Sequence, residues 1–188
     1  MQATGIIAEY NPFHNGHLYH IQETKRLTQQ PVIVVMSGSF MQRGEPAVLS
    51  KWQRASCAVQ GGADLVLELP CVFTLRSAEF FAKGAVQLLA ATGCVNTLAC
   101  GTEHPQSDFK AAASLACSAE AQARLRKLLQ NGLSYAQAWE KILGANTAFR
   151  SPNDILALEY TKALLQTAAD IQPLYLQRTD EGYNSTAI

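Results

Sequence analysis

Short apolar runs and longer amphipathic stretches alternate along most of this chain. Gly5-Ile6-Ile7-Ala8 reads as a buried strand, and Leu18 to Leu27 follows it as a helix opening at Gly16 or His17. Pro31-Val32-Ile33-Val34-Val35-Met36 is a β-branched run with no polar alternation, which suits a parallel sheet covered on both faces. Phe40 to Leu49 has neither period and reads as a loop. Ser50 caps a helix predicted from about Lys51 to Gln60, stopped by Gly61-Gly62. Ala63 to Pro70 is a third strand, ended by proline. Ser77 opens a helix over Ala78 to Ala91, with Phe80, Phe81, Val86, Leu88 and Leu89 on its apolar face. Thr97-Leu98-Ala99-Cys100 is a short fourth strand leading to Gly101.

From Ser107 to Gly144 the pattern is helical and alanine-rich, with one break at Asn131-Gly132-Leu133-Ser134. It predicts a helical hairpin, an insertion at about 107–150. Ser151-Pro152-Asn153-Asp154 then carries a cap, a first-turn proline and a first-turn acid. The helix it opens runs to about Thr167, with Ile155, Leu158, Thr161, Ala163, Leu164 and Leu165 near one side. Pro173 to Arg178 is a fifth strand. This order predicts an α/β fold, a Rossmann-like doubly wound parallel sheet. Right-handed crossovers place the first three strands in order on one side of the first. A fourth strand on the other side brings Gly101 beside the first loop, at the switch point where such sheets bind ligands.

That first loop concentrates the chemistry. Glu9-Tyr10-Asn11-Pro12-Phe13-His14-Asn15-Gly16-His17 joins a strand to a helix start, whose free N–H groups and positive dipole end suit a phosphate. A charged His in the first helical turn is disfavoured by the dipole, so His17 is expected to be neutral and still able to donate one hydrogen bond. With His14 it offers two donors to one anionic centre, an arrangement that stabilises phosphoryl-transfer transition states. A solvated polar loop is the plain alternative. His14, His17 and His20 are spaced by three, but His14 precedes the helix and no carboxylate or cysteine stands at ligand spacing, so no histidine metal site is assigned. In the later loop, Ser37, Gly38, Gln42 and Arg43 are possible ligand contacts, and an ordinary surface crossover is the alternative.

Composition narrows the partners. The 188 residues suffice for one sizeable domain, and 15 Lys plus Arg balance 15 Asp plus Glu, against a strongly basic nucleic-acid module. Local basic patches remain open at Lys25 and Arg26, or at Arg43, Lys51 and Arg54. The five cysteines form no C-x-x-C pair and mostly sit in apolar surroundings, so small buried hydrophobes are expected. No basic n-region precedes the first strand and no apolar run approaches a bilayer span, so a cytoplasmic protein without a membrane partner is expected.

His14-Asn15-Gly16-His17 resembles the H-x-G-H signature of the HIGH-motif nucleotidyltransferases. The longer strings Gly5 to His17 and Met36 to Ala47 resemble, more specifically, the bacterial tRNA(Met) cytidine acetate ligases. The resemblance implies an ATP-binding loop formed by Ile7, Ala8, Glu9, Tyr10, Asn11, Pro12, Phe13, His14, Asn15, Gly16, His17, Leu18, Tyr19 and His20. It adds Gly101, Asn153 and Arg178 as further ATP contacts, and His14 and His17 as the catalytic pair. It implies ATP with Mg²⁺ and acetate as substrates, acetyl-adenylate as intermediate, and N4 of the wobble cytidine of elongator tRNA(Met) as acceptor. Asn184-Ser185-Thr186-Ala187-Ile188 resembles the start of the family's second signature, S-x-T-x-I-R, without its arginine. The chain is therefore expected to be the N-terminal part of a longer enzyme, with weakened catalysis and with tRNA binding dependent on the C-terminal part. Two other readings stay open: a small-molecule adenylyl- or cytidylyltransferase, and a nucleotide- or RNA-binding module without turnover.

Overall fold

Five strands, β1 (Ala3–Ala8), β2 (Val32–Ser37), β3 (Leu65–Leu69), β4 (Val95–Thr102) and β5 (Gln172–Gln177), pair in parallel in the order β3-β2-β1-β4-β5. The structure is a computed structural model that describes residues 2–144, 151–167 and 170–178. The strand order is the one expected from right-handed crossovers, with the order reversing at β1. The helices are α1 (Asn15–Thr28), α2 (Lys51–Gln60), α3 (Cys71–Thr74), α4 (Ala78–Ala91), α5 (Phe109–Ala116), α6 (Ala119–Gln130), α7 (Tyr135–Leu143) and α8 (Pro152–Thr167).

Alternating strand residues feed two cores. Ile6, Val32, Val34, Met36 and Ala99 pack on one face with Ile21 of α1 and Ala58 of α2. Ile7, Ile33, Val35, Leu98 and Cys100 pack on the other with residues of α4, α5 and α8. Burial on both faces is why β1 and β2 read as continuous apolar runs rather than alternating ones. At Gly5, a Cβ would stand 2.7 Å from Leu89 of α4, so the missing side chain lets that helix lie close to the middle strand.

Several expectations are corrected. α1 begins at Asn15, because His14 itself is the cap. The insertion holds three helices, not a hairpin: a second break falls at Cys117-Ser118, where the Ser118 hydroxyl accepts the Ala121 N–H at 3.1 Å. α6 and α7 enclose a small core of their own around Leu125 and Trp139. α3 was not foreseen. α8 has no single apolar face: Glu159 and Lys162 are as buried as Leu158, while Leu165 is 43% exposed. The charges survive burial as a pair 2.8 Å apart, with Tyr135 of α7 donating its hydroxyl to Glu159 at 2.7 Å. Of the cysteines, Cys100 alone is buried and Cys71 is exposed. The Asn184–Ile188 motif lies outside the described residues.

Candidate nucleotide site

The β1–α1 connection is shaped from inside. Tyr10 takes a left-handed backbone conformation (φ 51°), which few non-glycine residues adopt, and its ring is buried. It packs edge-on against Phe13 (5.0 Å between centroids) and His17 (4.8 Å). The chain then enters α1 through a reciprocal cap. Gly16 N–H donates to His14 Nδ1 at 3.1 Å, and His14 N–H donates to His17 Nδ1 at 3.3 Å. The two rings lie face to face, 3.7 Å between centroids and 30° apart in plane. With both Nδ1 atoms accepting, the tautomer that remains carries its proton on Nε2, so each ring keeps one N–H to donate.

Burial pushes the His17 pKa down to about 3, and Coulombic coupling to the neighbouring His14, His20 and Arg178 adds to the effect. The neutrality anticipated from the helix dipole is thus present, with burial as its main cause. His20, one turn on, is likewise lowered to about 4 by burial and by Arg178. Its Nε2 is fully buried and has no hydrogen-bond partner among the described residues, and such a group is costly unless something satisfies it.

A cleft opens beside this helix start at the carboxyl end of β1, β4 and β5. Gly16, His17, Tyr19 and His20 line one side, and Gly101, Leu176, Gln177 and Arg178 the other. The sheet therefore brings Gly101 and Arg178 to the histidine loop across about eighty to one hundred and sixty residues of sequence, as the switch-point argument requires. His14 is exposed and stacks on His17, which lines the cleft. Ile7 is buried and Ala8 half-buried at the strand end, Leu18 is half-buried, and Pro12 and Asn15 face solvent.

Asn153 stands one layer out. Its amide donates to Glu103 at 2.7 Å rather than lining the cleft. The four loop candidates lie on the β2 side. Ser37 and Gly38 are buried, and their carbonyls accept from Arg54. Gln42 donates its backbone N–H to Glu9 at 2.6 Å and its side-chain amide to the Arg76 carbonyl at 2.7 Å. Arg43 lies next in the same loop. Asn11 accepts the Val48 N–H at 2.7 Å, so Glu9 and Asn11 together bind the 40–49 loop to the histidine loop. Of the positions considered for a basic patch, Lys25 pairs with Asp64, Arg26 with Glu23 and Lys51 with Glu68, and Arg54 is buried.

Two groups escaped the sequence reading. Arg54 donates to the carbonyls of Glu9, Ser37, Gly38 and Leu49, tying the ends of β1 and β2 to the loop between them. Nothing local distinguishes it from a solvated helix arginine. The second is centred on Asp154, wholly buried, which accepts from Thr102, from the Glu103 and His104 N–H groups, and lies 2.8 Å from His104 Nδ1. Burial alone would raise this carboxyl, but the donors from Thr102, Ser151 and His104 outweigh it and leave its pKa below the ordinary value. In sequence Asp154 shows only as a first-turn acid.

Several known proteins are similar to this chain over nearly all of its length. The tRNA(Met) cytidine acetate ligase of Leuconostoc mesenteroides is 48% identical over 187 residues, 98% of this chain and 47% of that protein. The one of Alkaliphilus metalliredigens is 42% identical, over all of this chain and 49% of its own. The chain thus spans about half the length of these curated relatives. The crystal structure of Thermotoga maritima TmcAL in apo form I superposes with a TM-score of 0.87 at 36% identity, covering 100% of this chain and 48% of that one. The same protein bound with alpha-thio ATP gives 0.84 at 37% identity, covering 98% and 48%. The family model described as HIGH Nucleotidyl Transferase matches residues 1–188, and the chain belongs to that family.

Proposed function

We propose that this chain is the ATP-binding, adenylate-forming part of a tRNA(Met) cytidine acetate ligase. The observation that carries the reading is the stacked histidine pair, whose Nδ1 atoms are occupied by backbone N–H groups and whose Nε2–H groups are left to donate. The cleft fits a nucleotide: it lies at a helix start, it is lined by His17, His20 and Arg178, and it is open at Gly101. One of the similar solved structures is of a protein bound with alpha-thio ATP.

In the step proposed, an acetate oxygen attacks the α-phosphorus of ATP, the bond to the β-bridging oxygen breaks, and pyrophosphate leaves. The Nε2–H groups of His14 and His17 donate to the α-phosphoryl oxygens, where charge builds in the transition state. His17, neutral to well below pH 7, delivers this hydrogen bond without giving up its proton. Arg178 brings positive charge to the far wall of the cleft. A Mg²⁺ ion accompanying ATP would be held mainly by phosphate oxygens. In the second step, the cytidine N4 amine attacks the acetyl carbonyl, AMP leaves, and the amine loses a proton. The tRNA is the acceptor named for the relatives, and its docking is assigned to the part of the enzyme beyond this chain.

Isotopic exchange between pyrophosphate and ATP tests the reading. Exchange that depends on acetate is expected. Dependence on a phosphomonoester instead would make the protein a small-molecule nucleotidyltransferase, and ATP binding with no exchange under any acid would make it a binding module.

A further inference from the structure

Glu103 ends the β4 connection next to the cleft, and three separate segments meet on its side chain. Oε1 accepts the Asn153 amide at 2.7 Å and lies 3.7 Å from Arg178 Nε. Oε2 lies 2.5 Å from the Ser151 hydroxyl. The main chain is held as firmly: its N–H donates to Asp154 at 3.2 Å, and its carbonyl accepts the Gln177 amide at 3.1 Å. Asp154 is fully buried and itself saturated with donors, so Glu103 stands on a rigid base. One carboxylate therefore connects the end of β4, the start of α8 and the end of β5, and meets the two side chains that the family resemblance adds as ATP contacts beyond the histidine loop.

We propose that Glu103 is a positioning residue for nucleotide binding, holding Arg178 at the cleft wall and Asn153 one layer behind it. This rests on the ATP reading above. The chemistry gives the claim a sign. Arg178 is a long side chain that would sample many rotamers at the strand end, and a fixed carboxylate 3.7 Å from Nε limits them where the side chain lines the cleft. Asn153, with its amide nitrogen held by Glu103, must present its carbonyl oxygen elsewhere, as an acceptor. A carboxylate that merely stood near the site would instead repel a triphosphate, and removing its charge would tighten binding.

Calorimetric titration of this chain with ATP and Mg²⁺ decides it. Glu103→Gln is expected to raise the ATP Kd about tenfold, within the coupling found for contacting groups. In an N153A/R178A background the same substitution is expected to have no further effect. Glu103→Asp keeps the charge but retracts it by one methylene, and should weaken ATP as well. It serves as the second probe if E103Q melts below the wild-type chain. Unchanged or tighter ATP binding by both variants overturns the proposal, and so does a loss that persists in the N153A/R178A background. A wild-type chain that binds no ATP removes the nucleotide reading itself, a result distinct from either.

Discussion

α1 and α2 begin with the same local device made from different side chains. At α2, Ser50 Oγ accepts the Gln53 N–H at 3.3 Å and Gln53 returns the bond to the Ser50 N–H at 3.1 Å. At α1, His14 and His17 occupy the same two positions and make a closely similar pattern: His17 Nδ1 accepts the His14 N–H, while the His14 ring accepts from Gly16, one residue earlier than in α2. Both boxes satisfy donors that a helix start would otherwise leave bare. They differ in what is left over. The hydroxyl and the carboxamide face solvent at a surface turn. The imidazoles keep an Nε2–H each and stack 3.7 Å apart beside the cleft. On the function proposed above, a stock piece of helix architecture becomes a two-donor anion site by a change of side chain at cap and third position.

The sharpest way to break this comparison is to transplant one box into the other. H14S/H17Q gives α1 the cap of α2, so the chain should still fold. Acetate-dependent pyrophosphate exchange should nevertheless fall by ~10²-fold or more, the usual scale for lost transition-state donors. Exchange kinetics beside a melting curve checks it. A smaller effect is expected at the opposite wall. A Cβ at Gly101 would meet only Arg178 Cγ, at 3.6 Å, so Gly101→Ala is accommodated by the fold but intrudes on the cleft. ATP affinity should drop by about tenfold, matching an overpacking cost of ~1–3 kcal/mol. At α2, Ser50→Ala should cost about 1 kcal/mol in urea unfolding and leave ATP affinity alone, since that box only caps.

The last expected effect is on pH. His17 and His20 fall from an ordinary 6.5 to about 3 and about 4 in the folded chain. Below pH 6.5 the unfolded chain takes up protons that these folded sites refuse. The stability they contribute is therefore complete above about 6.5 and drains away as pH falls toward 4. Urea midpoints between pH 7.5 and 4.5 should show the decline, and the H14S/H17Q chain, with one of the two groups gone, should show a shallower one.

The same contrast explains what could be read from the residues in advance. Both bounds of α2 were legible because serine at the cap and the glycine pair at the end act within a few residues. The strand order was legible because crossover handedness is general. The strand–loop–helix form of the histidine segment was legible because its parts are contiguous, and the family because its strings are long. The second break in the insertion was not, since alanine-rich helices flank Cys117-Ser118 with no glycine or proline between them. The burial of Glu159 and Lys162 was not, because each charge is tolerated inside only by the other and by Tyr135 from another helix. Glu103 and Asp154 were silent for the same reason: about fifty residues separate them, and their role exists only once β4 and α8 meet.

The central claim is that His14 and His17 together present two Nε2–H donors to a nucleotide phosphate. Nitrogen-15 NMR of the imidazoles, recorded at neutral pH before and after adding ATP with Mg²⁺, tests it most directly. Both rings should be Nε2–H tautomers with unprotonated Nδ1, and both Nε2–H signals should move on ATP addition. Protons found on Nδ1, or a pair of Nε2–H signals that ATP leaves in place, would contradict the account.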